Sequence, residues 1–163
     1  MATDHIADAI DARLLKALTA DPRAATVALA DRTGVSRNTV QARLTRWERA
    51  GALTSFERTI APDFLGYPLQ AFVLTNVKQK LLGEVSDALA DIPEVVEVHG
   101  LSGVADLLVQ VVARDADDLY RVAGRILGIR GVKRTNTALV MRELVDYRLG
   151  PLVDRLLDQP TRD

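Results

Sequence analysis

Residues 36–49, SRNTVQARLTRWER, concentrate side chains that can hold nucleic acid. Arginine presents a fork that pairs bidentately with guanine, and asparagine or glutamine can do the same with adenine. Arg37, Asn38, Gln41, Arg43 and Arg46 supply these groups. Ser36 and Thr39 sit where a helix begins, and hydroxyls beside the N–H groups of a helix N-terminus suit phosphate oxygens. Ser36, Arg37, Asn38, Thr39, Gln41, Arg43 and Arg46 are therefore the candidate DNA-contact residues.

Such residues act together only if a helix presents them on one side. Val40, Leu44 and Trp47 recur at i, i+4 and i+7, which makes one apolar stripe and turns the polar residues outward. Arg43 lies nearest that stripe, so a structural role competes with a DNA contact there. Ser36 is a favourable N-cap, and Gly51 accepts the left-handed conformation that closes a helix. Upstream, Ile10, Leu14, Leu15 and Leu18 mark a first helix that Asp21-Pro22 stops, and Ala24–Arg32 forms a short second one. Ala30 permits close helix approach, Gly34 follows four residues later in a turn, and Val40 lies ten residues beyond Ala30. This is helix-turn-helix spacing, which presents the N-terminal half of the following helix to a major groove.

Composition narrows the rest. The 163 residues suffice for one ordinary or two small domains, and 48% apolar with 26% charged residues is the balance of a folded protein. With no cysteine, disulfides and cysteine-based zinc sites or nucleophiles are excluded, and His5 and His99 leave little for a metal. No paired-carboxylate, phosphate-loop or triad pattern is present, so neither catalytic residues nor a cofactor are expected. The N-terminus lacks the pattern of a signal peptide and no apolar run is long enough to span a bilayer, which predicts a cytoplasmic protein without membrane contact. The net charge of −1 names no partner, but residues 32–58 hold six arginines against Glu48 and Glu57. That local excess suits an anionic partner.

Two prolines and a glycine in APDFLGYP, 61–68, mark a linker after an extended segment, 53–60. Beyond it, strand and helix patterns alternate: LQAFVLTNV (69–77), the stripe Leu81 to Ile92, VVEVHG (95–100), ADLLVQVVA (105–113), the stripe Leu119 to Leu127, and a last strand from Gly131 to about Met141. Acidic Asp115, Asp117 and Asp118 suit the start of the second helix. The order βαββαβ is the ferredoxin-like pattern. The fold class expected is thus α+β: an N-terminal helix-turn-helix (winged-helix-like) domain over 1–52, a hinge strand and linker over 53–68, a ferredoxin-like domain over 69–145 and a C-terminal extension over 146–163. Strands 69–77 and 105–113 are apolar on both faces, while two helices can cover only one. A dimer formed through the sheets would cover the other, as would a helix around Pro151–Leu157.

The chain resembles the Lrp/AsnC (feast/famine) family of transcription regulators over about Asp8–Met141. The matching strings are DARLL (11–15), DPR (21–23), LADRTGVS (29–36), VQARL (40–44), ERAGAL (48–53), Leu65-Gly66, GVADLLV (103–109) and GVKRTNT (131–137), and their order and spacing together are specific. The resemblance implies a regulator that binds double-stranded DNA, assembles from homodimers to higher oligomers such as octamers, and associates with the nucleoid. It also implies a small-molecule effector, typically an amino acid, held between dimers at a G-x-x-D turn with help from the last strand. The corresponding residues are Gly103, Val104, Ala105 and Asp106, then Thr135 and Thr137. Backbone N–H groups of a glycine turn can hold a carboxylate, Asp106 can pair with an ammonium, and Thr135 and Thr137 share one strand face and add hydroxyls. Relatives often carry an aromatic residue where Ala105 stands and a leucine where Trp47 stands. Two alternatives share the scaffold: an architectural DNA-compacting protein with little effector response, and an enzyme like the sirohaem decarboxylases, for which His99 is the one candidate group.

Overall fold

The computed structural model describes residues 7–54 and 56–158. In chain order these form α1 (Ala9–Ala20), α2 (Thr26–Thr33), α3 (Arg37–Ala50), β1 (Leu69–Val77), α4 (Leu82–Ala90), β2 (Val95–Gly100), β3 (Leu107–Ala113), α5 (Ala116–Leu127), β4 (Val132–Leu139) and α6 (Gly150–Asp158). The chain divides into two compact units, one made of the segment up to Phe56 together with the segment from Val145 onward, the other of Glu57–Leu144.

In the first unit local chemistry sets the helix ends. Asp8 caps α1, accepting from the N–H groups of Ile10 and Asp11, while its own N–H donates to Asp11. This reciprocal pairing satisfies donors that a helix start leaves open. Ser36 caps α3 through the N–H of Thr39 at 3.2 Å. Gly34 and Gly51, at φ 68° and 64°, close α2 and α3 in the left-handed region. The core is small: Leu14, Leu29, Ala30, Val40 and Trp47, with Ile10, Leu18, Val35 and Leu44 packed around them. Trp47 is a core residue, as its place in the stripe requires.

The C-terminal helix belongs to this unit. α6 packs on α1, where Leu157 borders a cavity lined also by Arg13, Ala17 and Ala20 and Lys16 Nζ donates to Asp154 at 2.9 Å. The helix expected around Pro151–Leu157 exists, but α1 takes its apolar side.

In the second unit four antiparallel strands run in the order β2-β3-β1-β4, the arrangement of the ferredoxin-like pattern. α4 and α5 cover one face, over Ala71, Val73, Val77, Leu107, Val109 and Val111, with Val85, Leu89, Val122 and Ile126 from the helices. Asp115 caps α5 through the N–H of Asp118. On the opposite face Phe72 and Leu74 of β1 stand opposite Gln110 and Leu108 of β3, all half-exposed.

The extended hinge is corrected. Phe56–Thr59 and Pro62–Leu65 are single 3₁₀ turns, and no strand falls within 53–68 among the described residues. Pro62 opens the second turn and Gly66, at φ 87°, ends it. A strand needs a neighbour to satisfy its N–H and C=O groups, and a turn satisfies them locally. β3 also begins two residues later than the pattern suggested, because Ala105 and Asp106 close the preceding loop.

Candidate DNA-binding surface and effector loop

The polar residues of α3 separate into two groups. Arg37, Asn38 and Gln41, in its first turns, are exposed. Among the described residues the side chains of Arg37 and Asn38 have no hydrogen-bond or ion-pair partner, and Gln41 has one long contact, 3.4 Å from Thr26 Oγ1. Ser36 Oγ and Thr39 Oγ1 lie 2.8 Å apart at the helix start. This end of the helix therefore holds unspent donors and acceptors beside backbone N–H groups, the chemistry that fits base edges and phosphates.

Arg43 and Arg46 are placed differently. Arg43 bonds Asp8 and, at 2.8 Å, Asp11; Arg46 Nη2 lies 3.2 Å from both oxygens of Asp11. Asp11 is completely buried. The hydrogen bond from Arg43 to Asp8, opposed by partial burial, holds the Arg43 guanidinium above its ordinary range. Asp8 is pulled below the ordinary carboxylate range, the Asp11 N–H and Arg43 together outweighing a larger single effect of burial that acts the other way. The charge of Arg43 is thus used inside the unit, as its nearness to the apolar stripe allowed. Arg46 divides its role: its Nη2 holds Asp11, its Nε is buried without a partner, and its side chain stays two-fifths exposed on the face carrying Asn38, Gln41, Thr45 and Arg49.

Asp8 and Asp11 were not among the residues singled out from sequence. A signal for Asp11 existed: it falls at i relative to Leu14, Leu15 and Leu18 at i+3, i+4 and i+7, inside the apolar stripe of α1. A carboxylate on a buried face requires a charged or hydrogen-bonding partner.

In the second unit Gly103, at φ 131°, and Val104, 95% exposed, form the tip of the loop between β2 and β3. Among the described residues the backbone N–H groups of Ser102, Gly103 and Val104 have no acceptor. Ala105 is buried, so its side chain points away from the loop surface. Asp106 braces the loop: its carboxylate accepts from the Val77 N–H at 2.8 Å and from Gln79 Nε2 at 2.9 Å, and Asn76 Nδ2 donates to the Val104 carbonyl at 3.1 Å. The Val77 N–H leads the influences that hold Asp106 below the ordinary aspartate range, with Gln79 and Asn76 assisting, so the group is charged at neutral pH. Asn76, Val77 and Gln79 carried no sequence signal, since nothing in their spacing reveals that they meet residue 106.

The register puts Thr135 opposite Thr75 and Thr137 opposite Val73, on the helix-facing side of β4. Asp106 has the parity of Leu108 and Gln110 on the other side. No side-chain hydrogen bond joins the two threonines to the loop among the described residues, so one chain does not bring these two sets together. His99, half-exposed on β2, lies 3.4 Å from Glu97, which also pairs with Arg58.

A helix-turn-helix unit joined to a ferredoxin-like unit defines a DNA-binding regulator with a separate sensing domain. Comparison with known proteins carries this further. Residues 8–48 match the AsnC-type helix-turn-helix domain and residues 70–149 the Lrp/AsnC ligand binding domain. The chain is 32% identical to the HTH-type transcriptional regulator FL11 of Pyrococcus horikoshii, over 83% of its own length and 89% of the relative's. Among solved structures it is similar to E. coli AsnC, with 27% identity, a TM-score of 0.79 and coverage of 90% and 100% of the two chains. It is also similar to a feast or famine regulatory protein of M. tuberculosis solved with L-methionine, with 29% identity, a TM-score of 0.76 and coverage of 87% and 97%. The chain belongs to the Lrp/AsnC family of helix-turn-helix transcription regulators.

Proposed function

We propose that the chain binds specific operators through the first turns of α3 and that a free amino acid or closely related metabolite tunes its DNA affinity or assembly. The observation that carries this is the split along α3: Arg37, Asn38 and Gln41 are left available while Arg43 is spent internally. Arg37, Asn38 and Gln41 contact base edges, and Ser36 and Thr39 a phosphate. Arg46 contributes a phosphate contact from its exposed side while it holds Asp11. The chain acts as a DNA-associated protein of the cytoplasm, and it is a regulator rather than an enzyme.

The effector reading is supported by the loop. Three N–H groups without acceptors suit the carboxylate of an amino acid, and the charged Asp106 beside them suits its ammonium. Thr135 and Thr137 complete the site from a neighbouring copy, since one chain does not assemble both parts. Half-exposed Phe72, Leu74 and Leu108 support dimerisation through the open face of the sheet, with further assembly bringing loops and β4 strands of different copies together. The M. tuberculosis relative solved with L-methionine makes that amino acid the first to try.

The test is a titration of a duplex, selected by the protein from a random pool, at several salt concentrations. Arg37→Ala is expected to weaken binding about tenfold or more and to lower the salt slope by about 0.9. Unchanged affinity and slope would reject the contact. Each of the twenty amino acids is then added. A response in the wild type that Asp106→Asn loses supports the loop as the effector site, and a response that survives there moves the site elsewhere.

A further inference from the structure

We propose that α6 is a second tether between the units: it docks on α1 and passes the state of β4 to the recognition helix by a route separate from the 53–68 linker. It rests on α3 being the DNA-contacting helix. Three observations carry it.

The DNA-binding unit is discontinuous in sequence. Its last helix is reached only through β4, after the ten residues 140–149. Such a segment spans at most about 36 Å when fully extended. Docking of α6 is therefore an intramolecular equilibrium whose effective concentration depends on where the end of β4 lies.

The docked face is built from matched parts. Val153, Leu156 and Leu157, at i, i+3 and i+4, are the half-buried apolar side chains of α6, and Leu157 borders a cavity that Ala17 and Ala20 of α1 also line. Asp154 pairs with Lys16 at 2.9 Å. By contrast Met141, Leu144 and Tyr147, in the connecting segment, are at least three-quarters exposed. The helix is held, while these side chains of the segment leading to it are not buried.

The third observation is what α1 does on its other side. Asp11, Leu14 and Leu18 face the core and α3, and Asp11 bonds Arg43 and Arg46 of α3. Lys16 of α1 pairs with Asp154 of α6, and Ala20 and Leu157 border one cavity between the helices. α1 thus lies between the recognition helix and α6. A change that draws β4 away lowers the docked population of α6 and removes support from the helix that positions Arg43 and Arg46. By linkage, DNA that holds α3 must favour docked α6 and act back on β4.

Hydrogen exchange of the full chain tests this, with and without the selected duplex. In the wild type, DNA is expected to slow exchange in 37–50, in 150–158 and in 132–139. Leu157→Glu is expected to speed exchange in 150–158 at least tenfold, to keep the DNA effect at 37–50 and to lose it at 132–139. Lys16→Asp and Asp154→Lys should each speed α6 exchange severalfold, and the reversed pair should restore most of the protection. If Leu157→Glu leaves the first unit unfolded, seen as lost protection in α2, the two charge variants and their pair decide. A DNA effect at 132–139 that survives release of α6, or one absent from the wild type while 37–50 is slowed, overturns the tether alone. No slowing at 37–50 overturns the DNA-contact reading and the tether with it. Protection of α6 that rises with protein concentration would mean docking on a second copy and also overturns the tether.

Discussion

Asp11 in the DNA-binding unit and Glu94 in the ligand-binding unit are both buried carboxylates held by two arginines of one neighbouring helix. Arg43 and Arg46 of α3 hold the first; Arg121 and Arg125 of α5 hold the second. Their surroundings differ. Asp11 sits beside a core of Leu14, Leu29, Ala30, Val40 and Trp47, whereas Glu94 lies at the edge of a sheet that carries a larger apolar core on its helix-facing side. In the smaller unit a buried charge sets how two helices meet. In the larger one apolar burial does most of that, and the ion pair fastens the corner before β2 to α5. A unit with little apolar area depends more on each directed interaction.

The strongest way to break this comparison is to remove the largest side chain of the small core. Trp47→Ala should destabilise the DNA-binding unit by about 3–5 kcal/mol. Exchange would become fast in α1–α3 while β1 and β3 keep their protection, and equal loss in both units would deny the contrast.

Asp11→Asn comes next. Removing the buried charge leaves Arg43 with Asp8 alone and takes from Arg46 the carboxylate it holds, and should cost about 3 kcal/mol. Glu94→Gln should cost no more than about 1 kcal/mol, because Arg121 and Arg125 are nearly half exposed to water. Denaturant titrations of the two variants measure the difference, and similar losses would erase the distinction.

Ser36→Ala removes the cap of α3 and should cost about 1 kcal/mol. It should also weaken DNA binding, because the same hydroxyl lies at the proposed phosphate contact. A stability loss with unchanged DNA affinity would confine Ser36 to a capping role.

The smallest effect is a dependence on pH. The hydrogen bond from Arg121, opposed by burial and aided by further contacts, holds Glu94 below the ordinary glutamate value of 4.5. A carboxylate whose pKa is lower folded than unfolded contributes stability above the unfolded value and loses it as pH falls through the folded one. Stability of the ligand-binding unit should therefore decline on the acid side of about pH 4.5. In Glu94→Gln that decline should be shallower, and an unchanged acid limb would remove Glu94 as a contributor.

Legibility in the sequence followed the range of the interaction. β1 and β2 occupy the segments 69–77 and 95–100 read from the sequence, because short runs rich in apolar and β-branched residues between turn signals report a strand directly. The ends of α3 were equally legible, since Ser36 and Gly51 act within a few residues of themselves. The hinge was not, because a β-rich composition does not form a strand without a neighbour. Of the candidate DNA contacts, nothing local separated Arg37 from Arg46, as both are arginines on the polar side of one helix.

Sequence alone therefore determined the kinds of element, their order and the helix caps, all of which arise from periodicity and contacts between near neighbours. Tertiary structure decided which charged groups remain available. Arg43 and Arg46 meet an aspartate more than thirty residues away, Asp106 meets donors at the end of another strand, and α6 finds its partner in the first helix of the chain. An amphipathic or charged face states that a partner is needed, and only the packed chain supplies which one.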